Sequence, residues 1–233
     1  YYDLPASEGR PGSYLAVGKG DVPLEHWFHL GRTLAKAGAA PVLLSWTGSM
    51  FEYLMPYLVM RTPVGSLLHW TQEVAVERQI AYGKAKRVPW GISESAFDAR
   101  DINLTYQYSS FGVPGLGLKR GLGEDLVVAP YATALAAMFA PRSAVRNFQR
   151  LAEEGARGSM GYYEAIDYTP ERVPQGQHSA VVRAYMAHHQ GMTILALTNV
   201  LLDGIMRRRF HRVPIIGAND LLILGDDTRL HGR

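Results

Sequence analysis

No cysteine occurs in the 233 residues, which excludes a disulfide framework, a thiolate-bound metal and a cysteine nucleophile. The absence fits a reducing compartment. Charge is sparse: 24 Lys and Arg stand against 21 Asp and Glu, and a net charge of +3 is too small to grip a nucleic-acid backbone. Long apolar runs are missing too. The longest, roughly Leu126 to Pro141, is interrupted by Pro130 and falls short of the ~20 residues a spanning helix needs. No stretch alternates apolar and polar residues long enough to be read as a strand, so an all-α chain is expected. There is no repeat of fixed period and no low-complexity linker. The first residues, Tyr1-Tyr2-Asp3-Leu4-Pro5, lack a basic leader and an initiating Met, so a piece of something longer is expected.

What is present describes a globular protein, with 47% apolar and 19% charged residues. Helices are expected over 24–38, 65–84, from Pro130 to Met138, from Pro141 to Gly155, and over 178–203. In the second, Leu67, Trp70, Val74 and Ala81 form the expected apolar stripe. Pro141 suits a first helical turn, where its missing N–H costs nothing. Between the helices lie two loops rich in Gly and aromatics, 88–118 and 157–177.

These loops hold most of the unusual chemistry. The first gathers Trp90, Glu94, Asp98, Asp101, Tyr106, Gln107, Tyr108 and Phe111; the second contains the run Gly161-Tyr162-Tyr163-Glu164. Carboxylates among aromatics and amides suit a sugar site: rings stack on the C–H face of a pyranose, amides bond its hydroxyls, and two acids handle the protons. The same rings could equally anchor the loops to a core. Glu52 stands inside an apolar run, Ser49 to Pro56, where a buried acid must be paired or must hold backbone N–H groups. His188 and His189 are adjacent and point about 100° apart on a helix, so they do not chelate one metal, and no metal site is expected. One is expected to be buried and the other to face a cleft. Gly18-Lys19-Gly20 and Gly112, Gly115 and Gly117 lack the context of phosphate loops, and no Gly-x-Ser-x-Gly elbow occurs. Arg207-Arg208-Arg209 reads as charge at a helix C-terminus.

Eight strings occur in one order: YDLPASEGR, GDVPLEHWFHLGR, LLSWTGSMFEYLMPYLVM, VPWGISESAF, YQYSSFGVPGLGLKRGL, LVVAPYATALAAM, GYYEAIDYTPER and VVRAYMAHHQGM. Together they resemble the glycoamylase-like domain of cyclic β-1,2-glucan synthases, related to β-1,2-glucanases, over about residues 1–212. Residues 213–233 are then an exit segment or linker. The resemblance implies an (α/α)6-type helical barrel, incomplete here because six helix pairs need well over 300 residues. It implies that a linear β-1,2-glucan is cleaved at one linkage and rejoined to its own non-reducing end, giving a cyclic glucan without a cofactor. It implies partner domains in the same parent chain, a glucosyltransferase and a phosphorylase-like region, at the cytoplasmic face of the inner membrane. This segment itself is expected to be soluble, with no membrane insertion and no nucleic-acid partner.

Transglycosylation favours a covalent glycosyl-enzyme and a retaining pair of carboxylates. By resemblance that pair is Glu94 as acid/base and Glu8 as nucleophile, with the two roles interchangeable and Glu164 and Asp101 in reserve. Glu52, Trp90, Tyr106, Tyr108, Phe111, Tyr163, Glu164, His188, His189 and Gln190 are implied cleft residues. The chain departs from the family where Gly9-Arg10-Pro11-Gly12 follows Glu8, so a broken or shifted first helix is expected there. Hydrolysis of β-1,2-glucan and non-catalytic glucan binding are the alternative functions.

Overall fold

The structure, a computed structural model, describes residues 3–38 and 40–227. Helix α1 (Arg10–Lys19) begins where the disruptive residues stand. Gly9 is its N-cap, and Pro11 lies in the first turn, where no intrahelical N–H is missed. The helix then runs over Gly12 to a left-handed Gly20 cap. The expected break is thus a helix start, and Glu8 lies in the turn ahead of it.

The helix expected over 24–38 is only α2 (Glu25–His29). Arg32 folds back to donate to the carbonyls of Trp27, Phe28 and Leu30, ending it. A hairpin follows, β1 (Leu34–Ala37) against β2 (Ala40–Leu43), with Leu34 opposite Leu43. Next come α3 (Met50–Leu54), a 3-10 turn at Pro56–Leu58, and the 20-residue α4 (Leu67–Lys86). Of the stripe expected on α4 only Val74 is buried, and Trp70 is 47% exposed. The buried face instead carries Thr71, Gln72 and Gln79, each bonded to backbone: Thr71 Oγ1 accepts from Leu43, Gln72 donates to Tyr53, and Gln79 makes two bonds to Ile92. A face made apolar by pairing rather than by composition leaves no amphipathic signal.

The loop 88–118 contains a second hairpin, β3 (Ser95–Arg100) with β4 (Tyr106–Ser109), whose register shifts between Ala96 and Arg100. Strand β5 (Val127–Val128) leads into α5 (Pro130–Ala136), and α6 (Pro141–Glu153) follows; both helices open on proline as expected. All seven residues of α5 are buried. A minimal hairpin, β6 (Arg157–Gly158) with β7 (Gly161–Tyr162), precedes β8 (Ala165–Asp167) and β9 (Ala180–Val182). Strand β8 sits between β5 and β9, antiparallel to both. The long helix expected from residue 178 starts only at α7 (Ala187–Leu201), because 180–182 pair as β9. The chain is therefore 42% helical with four small sheets among the described residues, rather than all-α. Strands of two to six residues are too short to show a period of two.

The core gathers on α5, which packs against α3, α6 and α7. Helices α8 (Ile205–His211) and α9 (Pro214–Asp227) close the chain. The stretch expected as an exit segment is thus helical as far as Asp227 and docks on α1: Asn219 Nδ2 donates to the Tyr14 carbonyl at 2.7 Å, and Tyr14 bonds Asp220. Residues 228–233, like Tyr1 and the Tyr2 that begins the first quoted string, lie outside the described residues. Among the described residues no helix is long and apolar enough to cross a membrane.

Candidate active site

Glu94 stands just ahead of β3, half-buried, and its backbone is pinned from α5. Tyr131 OH donates to the Glu94 carbonyl at 2.9 Å and meets Ser93 Oγ at 2.8 Å, while Ser93 Oγ accepts from Phe51 N–H at 2.9 Å. The tyrosine has one hydrogen, spent on Glu94, so Ser93 donates to it. The Glu94 side chain receives Tyr108 OH from β4 at 3.0 Å. Behind Tyr108 lies His189 of α7, with its Nε2 3.5 Å from the same hydroxyl. His189 Nδ1 sits 2.9 and 3.0 Å from the two oxygens of Glu164, so that nitrogen carries a hydrogen. Ala96 N–H adds a bond to Glu164. The His189 ring is stacked on Tyr131, 3.8 Å between centroids at 11°.

Burial pushes the Glu94 carboxyl up, and the charge of Glu52 adds to that; the Tyr108 bond and the charge of His189 pull it down. Glu8 is also raised, first by burial and then by the charges of Glu52 and Glu94, against a backbone N–H and Ser7 that lower it. Its Oε2 is buried with no hydrogen-bond partner. Glu8 and Glu94, 86 positions apart in the chain, therefore share one electrostatic neighbourhood.

Glu52 behaves differently. It is 3% exposed and is the third residue of α3, in a capping box with Ser49. Its two oxygens accept from the Ser45 hydroxyl, Trp46 N–H, both donors of Thr47 and both donors of Ser49. With every lone pair engaged it has nothing left for a sugar. It holds the turn 45–49, and the expected cleft role is corrected to that one. The turn packs so closely on Gly112 and Gly117 that a Cβ at either would overlap the Thr47 backbone.

The chain matches the Glycoamylase family model over residues 1–214. It belongs to the Glycoamylase family. Within it, the chain is 55% identical over 222 residues to the cyclic β-(1,2)-glucan synthase NdvB of Rhizobium meliloti, a match covering 95% of this chain and 8% of that protein. Two solved structures share the fold. One is the endo-β-1,2-glucanase of Chitinophaga pinensis in complex with sophorotriose and glucose (TM-score 0.64, 15% identity, 90% of this chain and 52% of that one). The other is a candidate glucoamylase from Bacteroides fragilis (TM-score 0.66, 18% identity, 90% and 51%).

Of the residues that the family resemblance brought forward, six join the Glu94 cluster or border it. Tyr108, Glu164 and His189 form its hydrogen-bonded line. His188 is exposed, 3.9 Å ring to ring from His189, its pKa lowered first by burial and then by His189. Gln190 donates to the Tyr162 carbonyl at 3.1 Å and helps line a cavity of about 120 Å³ together with Tyr131, Tyr163, Glu164 and His189. Tyr163 itself packs on Tyr185, 5.1 Å between centroids.

Two expected cleft aromatics are corrected to core. Trp90 lies against Gly83 of α4, with both its backbone groups bonded by Asn147. Phe111 packs edge-on to Phe97 at 5.6 Å. Tyr106 sits beneath the Arg100 guanidinium and accepts from it at 2.6 Å, on the outer part of the hairpin. The reserve acid Asp101 closes the same hairpin by accepting from Asn103 and Thr105 N–H, exposed to solvent. The sequence reading missed Tyr131 and Ser93, which fix Glu94 from behind. Tyr131 is a lone tyrosine in an otherwise small, apolar helix, and a buried phenol needs a partner; that is the signal which could have found it. A larger cavity of about 600 Å³, lined in part by Trp27, Leu68 and Trp70, contains none of the candidate acids. Among the described residues no group of three or more His, Asp or Glu could hold a metal ion.

Proposed function

We propose that this chain acts on β-1,2-glucan, cleaving one linkage and rejoining the cut end to the other end of the same molecule to give a cyclic glucan. One observation carries the reading. Two desolvated carboxyls, Glu8 and Glu94, share a neighbourhood in which burial raises the proton affinity of both, while a phenol donates to Glu94 and one oxygen of Glu8 is left without a partner. The sequence identity to a cyclic glucan synthase and the fold shared with an endo-β-1,2-glucanase support the substrate class.

The surroundings also favour an exchange of the roles assigned from the sequence. Glu8, repelled by two acids and with one orphaned oxygen, suits a carboxyl that keeps its proton. Glu94, whose carboxylate accepts from Tyr108, is the better placed of the two to act as the anion. Glu94 then attacks the anomeric carbon while Glu8 protonates the departing 2-oxygen. Next, Glu8 takes the proton of the incoming 2-hydroxyl, whose oxygen displaces Glu94 and closes the ring. Keeping water from the ester is what separates closure from hydrolysis. The helices are inferred to belong to a six-pair (α/α) barrel, which the match to about half of each solved relative supports. Glucosyltransferase and phosphorylase-like neighbours in a longer parent chain at the inner membrane complete the proposal, and the far greater length of the Rhizobium protein supports the first part of it.

Mass spectrometry of products from linear β-1,2-glucan is the test. Masses one water short of linear chains, absent with Glu94→Gln, establish cyclisation. Shortened linear chains make the activity hydrolytic. Binding without turnover, unchanged in Glu94→Gln, leaves only a glucan-binding domain.

A further inference from the structure

Glu164, His189 and Tyr108 were brought forward as sugar contacts, yet the geometry commits two of them to each other. Glu164 and His189 are both almost wholly buried, at 2% and 1% exposure, and each satisfies the other. His189 cannot turn without leaving its stack on Tyr131. With the Nδ1 hydrogen committed to Glu164, Nε2 is the ring nitrogen turned to Tyr108 OH, 3.5 Å away, and in the tautomer so fixed it is an acceptor. Tyr108 is the movable member: it is 42% exposed, on a strand whose register is already irregular. Its single hydrogen has two acceptors within reach, Glu94 Oε1 at 3.0 Å and His189 Nε2.

We propose that Tyr108 is a positioning residue for Glu94, its hydroxyl hydrogen resting on the Glu94 carboxylate and turning to the fixed His189–Glu164 pair when that carboxylate loses its charge. This deepens the reading of Glu94 as nucleophile and rests on it. A charged oxygen is the stronger acceptor, so the hydrogen lies on Glu94 in the resting site and orients it. Once Glu94 is an ester or an acid, Nε2 is the better partner. Moving there leaves the ester unshielded for the returning hydroxyl. No proton leaves the tyrosine; only its hydrogen bond is exchanged. The ionisable groups facing Glu94 come from several elements. They are Tyr108 on β4, His189 on α7, Glu52 on α3, Tyr131 on α5 and Glu8 ahead of α1, with Glu164 behind His189.

The test uses the whole chain with carboxyl-13C-labelled glutamate, the Glu94 resonance being assigned by its loss in Glu94→Gln. In Tyr108→Phe the Glu94 titration is expected at higher pH, because a donor that favours the anion is gone. An unmoved titration overturns the proposal, whatever the activity. On linear β-1,2-glucan, Tyr108→Phe is expected to lower kcat about tenfold to a hundredfold, the worth of one hydrogen bond to a charged group, with KM little changed and the acidic limb of kcat/KM moved upward. The double variant Glu164→Gln/His189→Phe keeps the stack but removes the charge of the first residue and the acceptor nitrogen of the second. Combined with Tyr108→Phe it should slow the enzyme no further, since the pair acts through that hydroxyl. Additive losses, or a raised KM with kcat intact, would mark these residues as sugar contacts and overturn the proposal. A shifted Glu94 titration without any turnover of glucan would uphold the hydrogen-bonded line and refute the proposed function instead.

Discussion

Glu52 and Glu94 lie in one electrostatic neighbourhood, the first in the opening turn of helix α3 and the second just ahead of strand β3. Around Glu52 the chain supplies donors from Ser45, Trp46, Thr47 and Ser49 until no lone pair is left. Around Glu94 it spends its donors on the backbone, through Tyr131, and gives the carboxylate a single phenol. The first acid is consumed by structure. The second is held firmly at its main chain and left with acceptor capacity to spare. Satisfied polar groups specify a conformation, and partly satisfied ones in a half-buried site are available for chemistry.

That contrast sets the order of the expected effects. Glu94→Gln is nearly isosteric and breaks one bond at the side chain, so turnover should fall about 10²–10⁴-fold or more while the melting temperature hardly moves. Retention of more than about a tenth of the activity would remove Glu94 from the chemistry. Glu52→Ala should do the reverse. It strands several buried donors at ~1–3 kcal/mol each, so a loss of about 3 kcal/mol is expected in denaturant unfolding. A variant as stable as the parent would end the comparison. Asn147→Ala tests the satisfied class elsewhere, because Asn147 bonds both backbone groups of Trp90 and the Thr133 hydroxyl. About 2 kcal/mol is expected there.

Glu8 gives the smallest effect and a definite sign. Its folded pKa lies above the ordinary 4.5, so the folded chain holds the proton longer than the unfolded one. Stability therefore falls as pH rises from 4.5 through the raised value. Glu8→Gln removes that loss: it should melt above the parent at pH 7, with the gap closing as pH drops below 4.5. A gap independent of pH would mean that Glu8 is not held protonated by its surroundings.

Sequence reading did well where a single residue type marks a boundary. Pro130 and Pro141 open α5 and α6, and Gly155, at φ 85°, follows the end of α6. It also brought Glu94, Tyr108, Glu164 and His189 forward, although not what they do for one another, since these partners stand 14 to 81 positions apart. It failed where two physical outcomes share one composition. Trp90 and Phe111 are as apt for stacking on sugar as for filling a core, and only the depth of the packed fold decides between them. The short strands escaped for want of length, and the polar face of α4 escaped because its glutamines are neutralised by backbone groups from other elements.

The cluster around Glu94 has a consequence for how the molecule forms. Its members come from the turns before α1 and β3, from β4, α5, the turn before β8, and α7, so no contiguous piece of chain contains it. Closing such distant contacts carries most of the loop entropy of the fold. Catalytic competence should therefore appear only at the end of refolding, and a single cut in any of the connecting loops that lets the halves drift apart would abolish it while leaving most of the helices intact.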